Sequence, residues 1–588
     1  MSSETTGTIE VPILIVGAGP AGLALSLSLA RYGVEHLLVE RHQGTAHTPR
    51  AHIINQRTVE ILRHLRVSDR FHAVATPQQL MTNNVWATSL SGLEVARSET
   101  WGTSADRAGD YAKASPEPMA NCPQTVLEPM LVEATRDAGS DVRFGLEFVE
   151  FIQDATGVTS TLRYRDTGDE VTVRSTYLVG ADGARSKMLG QAGLSVDGPD
   201  DLARAANVWF RADLSRYFEH RPGVLTWNVA PGPYGSLRVG TLICHKPYTE
   251  FVLVFLYDPA VDPLEEMTEE RLIDRIRTLV GEEVDPEILG LAGWQVRAQV
   301  APRYHNDRVF LMGDAVHRHP PTNGLGLNMS VADAYNLGWK LALAVDGRGG
   351  RALLDSYSAE RQPVGAEGVH RAITSLQEAG EIETALGYEP GQSVEDGQQA
   401  LSVLFEAGPA GDARREALRQ AVELSKYQFN AHGTELGYRY RSDVIASESD
   451  APPKPKRDPQ LYYEATTRPG ARVPHARLER KGRQPISSLD LVDDLEFALL
   501  TGIDGEKWVP AAAAASERFG MPVRVHTIGV GADITDPYGE WAERREVDDS
   551  GCVLVRPDRH VAWRSTGYTP GSDTELVAAV ERALGLSQ

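Results

Sequence analysis

The chain has 588 residues, 41% hydrophobic and 24% charged, so it is long enough for several domains and has the composition of a folded globular protein. Its 59 Lys and Arg against 81 Asp and Glu leave a formal net charge of −22 at pH 7, which excludes the basic field that a nucleic-acid binder needs to displace phosphate counterions. Three distant cysteines, Cys122, Cys244 and Cys552, form neither a metal cluster nor a disulfide framework, as expected in a reducing cytoplasm.

The polar start, Met1 to Glu10, has no charged n-region or cleavage site, so no signal peptide is expected. The apolar segments at Ile13 and Leu23 are too short or too interrupted to span a bilayer.

The first patterned stretch runs from Val11 to Glu40. An apolar run, Ile13 to Val16, reads as a buried parallel strand, and Gly17, Gly19 and Gly22 follow as G-x-G-x-x-G. A helical segment leads to Gly33, then a second apolar strand from His36 to Val39 ends in Glu40. In the dinucleotide fingerprint the first glycine permits a tight turn, the second lets backbone approach a pyrophosphate, and the third lets helix and strand pack closely. The helix N-terminus offers free N–H groups to the phosphates, and Glu40 is placed to accept from ribose hydroxyls. The competing reading is a glycine-rich turn in an ordinary α/β domain.

A polar loop with Arg50, His52, Asn55 and Arg57 comes next, then a helix whose Val59, Ile61, Leu62 and Leu65 form a buried face. Residues 121–134 read as a loop feeding a helix. Short alternating runs from Val142 to Val179 predict antiparallel hairpins leading into GADGARSKM at 180–188. Residues 205–257 hold four strand-like segments that favour an antiparallel sheet. Residues 309–345 read as a strand, a Pro- and Gly-rich loop, and a long helix. On that helix Val331, Tyr335, Gly338, Ala342 and Val345 fall near one face, with Asp333, Asn336 and Lys340 off it. Residues 365–445 are helix-rich, and Ala451 to Arg457 is a Pro/Lys linker.

Three motifs stand in order: GAGPAG at 17–22, GADGARSK at 180–187 and GDAVHRHPPTNGLGLN at 313–328. With PRAHIINQRTVEIL and the C-terminal TTRPGARVPHARL and GCVLVRPDRHVAWR, the sequence resembles the class A flavoprotein aromatic hydroxylases. Within them it is most similar to the phenol-hydroxylase type and its 2,4-dichlorophenol hydroxylase subgroup. The resemblance covers essentially the whole chain and implies an α/β protein. Its parts are a Rossmann-like FAD-binding domain of the p-hydroxybenzoate hydroxylase fold, an antiparallel-sheet substrate domain and a thioredoxin-like C-terminal domain. The expected division is 1–78, 101–200 and 296–375 for FAD; 79–100 and 201–295 for substrate; 376–457 as helical connector and linker; and 458–588 as the thioredoxin-like domain without CxxC.

By the same resemblance, Gly17, Gly19, Gly22 and Glu40 would hold the FAD adenosine and pyrophosphate. Arg50 and Gln124 match family positions near the cofactor, and Asp182 would help position it. Asp314 would hydrogen-bond the ribityl or pyrophosphate side. Pro320 and Pro321 would line the flavin face, and the backbone of Gly326, Leu327 and Asn328 would contact the isoalloxazine. From the residues alone, Asp314 also reads as a cap or loop-bracing carboxylate and Asp182 as plain turn chemistry.

The implied reaction adds O2 to flavin reduced by NADH or NADPH and passes one oxygen to an activated phenol-like ring. His52 is the leading candidate for the base that deprotonates the phenol, standing where the phenol-hydroxylase type carries aspartate. A buried histidine bracing its loop is the alternative, and His47, His317 and His319 are weaker candidates. Trp209, Trp227 and Tyr234 could line the pocket or simply be sheet core.

The expected substrate is a chlorophenol or simple phenol. The alternative is tailoring of a natural-product aromatic or hydroxypyridine ring. The absence of WxWxIP argues against a halogenase, and a non-catalytic FAD-binding scaffold is the rival from outside enzymology. A homo-oligomer is expected, with no metal, nucleic-acid or membrane partner.

Overall fold

The computed structural model describes residues 8–480 and 482–587. Met1 to Gly7, most of the segment read for a signal peptide, lies outside the described residues.

Two sheets organise the first three-quarters of the chain. In the first, five parallel strands run in the order Val309–Leu311, Glu170–Gly180, Ile9–Val16, His36–Glu40 and Asp141–Phe144. Of the run from Val142 to Val179 read as antiparallel hairpins, Leu146–Gln153 and Val158–Tyr164 do pair so, against the outer half of Glu170–Gly180, whereas the two ends of the run join the parallel strands. Ile13, Leu14 and Ile15 are fully buried, because a parallel strand is covered on both faces and so reads as a continuous apolar run. Helix Pro20–Arg31 lies against helix Leu325–Val345. The approach is close because Gly338 faces Ser28, and a Cβ there would lie 2.8 Å from Ser28 Cβ.

The second sheet has seven strands: Glu287–Val296, Ala203–Arg211, Glu250–Tyr257, Thr241–Lys246, Gly223–Asn228, Asn83–Ala87 and Glu94–Glu99. It is antiparallel except where Gly223–Asn228 pairs in parallel with Asn83–Ala87. Alternation along Ala203–Arg211 sends Ala206, Val208 and Phe210 into the core. Asn207, on the opposite face, donates to Pro49 O in the loop after Glu40 at 2.9 Å. Helices from the segment expected to be a connector cover the core side, with Ile382, Leu386, Leu401, Leu418 and Phe429 packed into it. Their apolar faces need cover, and the sheet supplies it.

The last unit has a four-stranded sheet in the order Val523–Thr527, Phe497–Thr501, Cys552–Val555 and Val561–Ser565, the first pair parallel and the rest antiparallel. Helices Val509–Phe519 and Ser572–Ala583 pack on it, which is a thioredoxin-like arrangement. Cys552 is buried and unpaired.

Helix Leu325–Val345 is buried beyond its apolar face. Every residue from Val331 to Lys340 is buried, including Asp333, Asn336 and Lys340. The C-terminal unit covers what would have been the solvent side: Trp339 and Leu343 share a core with Phe497 and Trp508, and the polar side chains find buried partners. No helix among the described residues is long and apolar enough to cross a membrane.

Candidate functional site

The three fingerprint glycines are required for different reasons. Gly17 has φ +108, and a Cβ there would sit 2.3 Å from Ala181 O, just past the end of the neighbouring strand Glu170–Gly180. A Cβ on Gly22 would lie 1.9 Å from Gly17 O, so helix and turn could not close. Around Gly19 the nearest heavy atom to such a Cβ is 4.0 Å away, leaving open space before the N-terminus of helix Pro20–Arg31. Glu40 closes this side. Its Oε2 accepts from Ala18 N at 3.0 Å and its Oε1 from His42 N at 2.9 Å, with lone pairs to spare for a hydroxyl-bearing ligand.

Gln124 starts helix Gln124–Asp137 and donates through Nε2 to Glu128 Oε1 at 2.5 Å. Glu128, which sequence reasoning passed over, is 3% exposed and also accepts from Ala46 N at 2.6 Å; burial raises its carboxyl pKa. Arg50 is exposed nearby. Asp182 divides its two oxygens. Oδ2 accepts from Lys187 N at 2.9 Å and Met188 N at 3.3 Å, which is turn chemistry. Oδ1 is shielded with no partner among the described residues, and burial raises this carboxyl pKa too.

The loop from Gly313 to Gly324 leads into helix Leu325–Val345. Asp314 is exposed, and among the described residues its carboxylate takes no hydrogen bond, so it neither caps nor braces. The turn that carries it is held from behind: Gly313, at φ +62, donates its N–H to Asp333 Oδ2 at 3.0 Å. His317 Nε2 meets the same oxygen at 2.7 Å, and Arg361 Nε donates to Asp333 Oδ1 at 2.7 Å. His317 is therefore a loop brace, not a free base. Asn323 and Gly324, at φ +64 and +62, turn the chain into the helix, whose first N–H groups, at Leu325, Gly326 and Leu327, lack intrahelical partners. Pro320 is buried and Pro321 exposed beside them. The Asn328 side chain is fully committed: Oδ1 accepts from Asn55 N at 3.0 Å, and Nδ2 donates to Ile53 O at 2.9 Å and Gly324 O at 2.6 Å. It ties the loop from Gly313 to Gly324 to the His52 loop and leaves only its backbone for a ligand.

His52 lies on that pinned loop. Its Nδ1 is 2.8 Å from Asn121 Oδ1, and Asn121 is oriented by donating through Nδ2 to Cys244 O at 3.3 Å. An amide oxygen only accepts, so Nδ1 carries the proton and Nε2 is a lone-pair acceptor with no protein partner among the described residues. Burial pushes the imidazole down to about 4, against the pull of the Asn121 hydrogen bond, so the ring is neutral at pH 7. Behind it stands a group that sequence reasoning missed. His245 meets Thr125 Oγ1 at 2.8 Å and Glu250 Oε1 at 3.1 Å, and Glu250 also accepts from Trp209 Nε1 at 3.1 Å. Burial likewise takes His245 down to about 4. No motif signals this set, because its members come from three strands and a helix.

Of the candidate aromatics, Tyr234 is 54% exposed under Arg238 and lines nothing. Trp227 lines a narrow crevice with Trp86, Ser375, Gln428 and Phe429. Asn323, in the loop from Gly313 to Gly324, donates through Nδ2 to Tyr427 O at 2.6 Å, next in sequence to the lining residue Gln428. His47 is exposed.

The open Gly19 turn, the free Asp314 carboxylate, the orphaned Asp182 oxygen and the unsatisfied N–H groups at Gly326 are each without a protein partner among the described residues and free to meet a polar ligand. The sequence matches the FAD binding domain family over residues 10–372 and the aromatic-ring hydroxylase C-terminal family over 466–586. It is 42% identical to 2,4-dichlorophenol 6-monooxygenase of Delftia acidovorans, covering 99% of this chain and 100% of that one. It is 38% identical to phenol 2-monooxygenase of Pseudomonas sp. (strain EST1001), covering 97% and 92%. The crystal structure of the flavin-dependent monooxygenase PieE in complex with FAD and substrate superposes with TM-score 0.94 at 49% identity, covering 98% of this chain and 100% of that one.

Proposed function

The chain belongs to the FAD-dependent aromatic-ring hydroxylases, and from that premise we propose that it hydroxylates a phenol or chlorophenol at the position ortho to the ring hydroxyl. Both relatives above are named for that position. FAD is its cofactor, and NADH or NADPH and O2 are its co-substrates. The reduced flavin activates O2 and supplies one oxygen atom to the ring.

The observation that carries the substrate reading is His52. Its fixed tautomer presents a neutral Nε2 acceptor without a protein partner among the described residues, on a loop tied through Asn121 to Cys244 of the seven-stranded sheet. A phenol O–H donating to Nε2 gains electron density on the ring, which is what attack by an electrophilic oxygen requires. Asn121 keeps Nδ1–H engaged and so holds the lone pair toward the substrate. In the same reading Gly17, Gly19, Gly22, Glu40, Arg50 and Gln124 hold the adenosine and pyrophosphate. Asp182 and Asp314 engage the middle of the cofactor, and Pro321, Gly326, Leu327 and Asn328 border the ring. A homo-oligomer working in the cytoplasm belongs to this reading, with its three buried free cysteines suited to a reducing compartment.

The test is NAD(P)H oxidation by the purified flavoprotein with phenol, chlorophenols, hydroxypyridines and fused aromatic phenols, with product mass. Phenol-stimulated oxidation with a product one oxygen heavier, ortho to the hydroxyl, supports the proposal. Turnover confined to hydroxypyridines or fused rings overturns the phenol assignment. Flavin indifferent to every ligand would leave a non-catalytic scaffold. Light scattering of the purified protein checks the oligomer.

A further inference from the structure

His319 stands in the loop between Gly313 and Gly324, and neither the fingerprint nor the His52 site uses it. Its Nδ1 lies 2.6 Å from Pro320 O. A carbonyl only accepts, so Nδ1 carries the proton and, in the neutral ring, Nε2 is a lone-pair acceptor. That atom is screened from solvent and has no donor among the described residues. A buried polar atom without a partner is costly and calls for a reason.

Its surroundings point to one. The ring edge faces the first turn of helix Leu325–Val345: a Cβ on Gly326 would lie 3.3 Å from Nε2 and 3.5 Å from Cε1. The backbone N–H groups there are donors without partners, so donors and a single acceptor stand side by side. His317, two residues away, differs because Asp333 takes its Nε2. A matching ligand carries acceptors for the N–H groups and a donor for the imidazole. Flavin has both: ring carbonyls and nitrogens that accept, and ring N–H and ribityl O–H groups that donate.

We propose that His319 is a cofactor-contact residue whose Nε2 accepts a hydrogen bond from bound FAD. The donor is either a ring N–H gained on reduction or a group present in both redox states. The inference rests on FAD binding by the family and is independent of the phenol reading.

The experiment compares wild type, His319→Leu and His319→Gln, measuring the dissociation constant of oxidised FAD from the apoprotein and the two-electron potential of the bound flavin. If the donor appears on reduction, His319→Leu weakens reduced flavin about tenfold against oxidised flavin, which is a potential about 30 mV lower. If the donor is present in both states, the dissociation constant rises about 3- to 10-fold at unchanged potential. In either case His319→Gln, which keeps an acceptor, recovers most of the change. Unchanged affinity and potential in His319→Leu, or the same defect in both variants, would overturn the proposal.

Discussion

His52 and Gly17 show how single residues act in two ways. His52→Ala removes the Nε2 acceptor and leaves the FAD cradle untouched. We expect kcat/KM for the hydroxylated product to fall about 10²- to 10⁴-fold, with FAD content unchanged by its visible spectrum. An unaltered product yield would return His52 to a loop brace. Gly17→Ala is a backbone change: φ +108 is disfavoured for alanine, and the methyl would press on Ala181 O at 2.3 Å. The variant should purify with little FAD, as read from the ratio of flavin to protein absorbance. Both residues were picked out from the sequence, Gly17 by its spacing and His52 by its place after Arg50. The His52 tautomer was not, because Asn121 sits 69 positions away and meets it only in the fold.

At the scale of an element, helix Leu325–Val345 carries the flavin loop at its start and charged partners along its length. Asp333 gathers Gly313 N, His317 and Arg361 in a site with no solvent exposure. Arg361 and His317 hold its carboxyl below the usual range despite the desolvation that opposes them. Asp333→Ala strands a buried guanidinium, a class of change that costs about 3–5 kcal/mol, and frees the turn that presents Asp314. The expected result is an earlier urea transition together with weaker FAD retention; full retention would mean that the turn holds its shape unaided. The periodicity of this helix separates an apolar face from Asp333, Asn336 and Lys340, and the fold buries these three as well. A hydrophobic pattern records which residues avoid water, whereas Asp333, Asn336 and Lys340 are buried because they are paired.

Over the whole molecule, the C-terminal unit is held by charges as well as by apolar packing. Arg556 makes a two-point contact with Glu360, at 2.6 and 2.8 Å, and Glu360 also accepts from Lys340 at 2.8 Å. Arg472 Nε reaches Glu60 on helix Gln56–His64 at 2.8 Å. Arg556→Ala leaves Glu360 and Asp558 short of a cation in a fully buried site and should cost about 3–5 kcal/mol. Limited proteolysis should then cleave near residues 446–470 sooner than in wild type. Acid should act on the same scale. Burial pushes His52, His245, His475, His526 and His560 down to about 4 and His432 to about 3. Unfolded histidines take a proton below about 6.5, so between 6.5 and 4 the unfolded chain binds more protons and stability falls as pH is lowered. The thermal half-life should shorten steadily from pH 7 to 5, and a flat profile would mean that these rings titrate normally.

The sequence by itself determined the parts that are local: the glycine turn between two strands, the Gly-Asp loop before a helix, and the run of short strands. In these, backbone sterics and spacing of a few residues are the whole constraint. It determined the family as well, because several such local motifs recur in order. Only the tertiary structure decided which polar side chains are buried and whose partners they are. Asp333 with Arg361, Glu360 with Arg556, and His52 with Asn121 lie 28, 196 and 69 positions apart. The proton on His52, the orphaned acceptor on His319 and the seating of the C-terminal unit all depend on such distant pairs. A hydrogen bond or ion pair is set by a few ångströms of separation, and that distance exists only once the chain has folded.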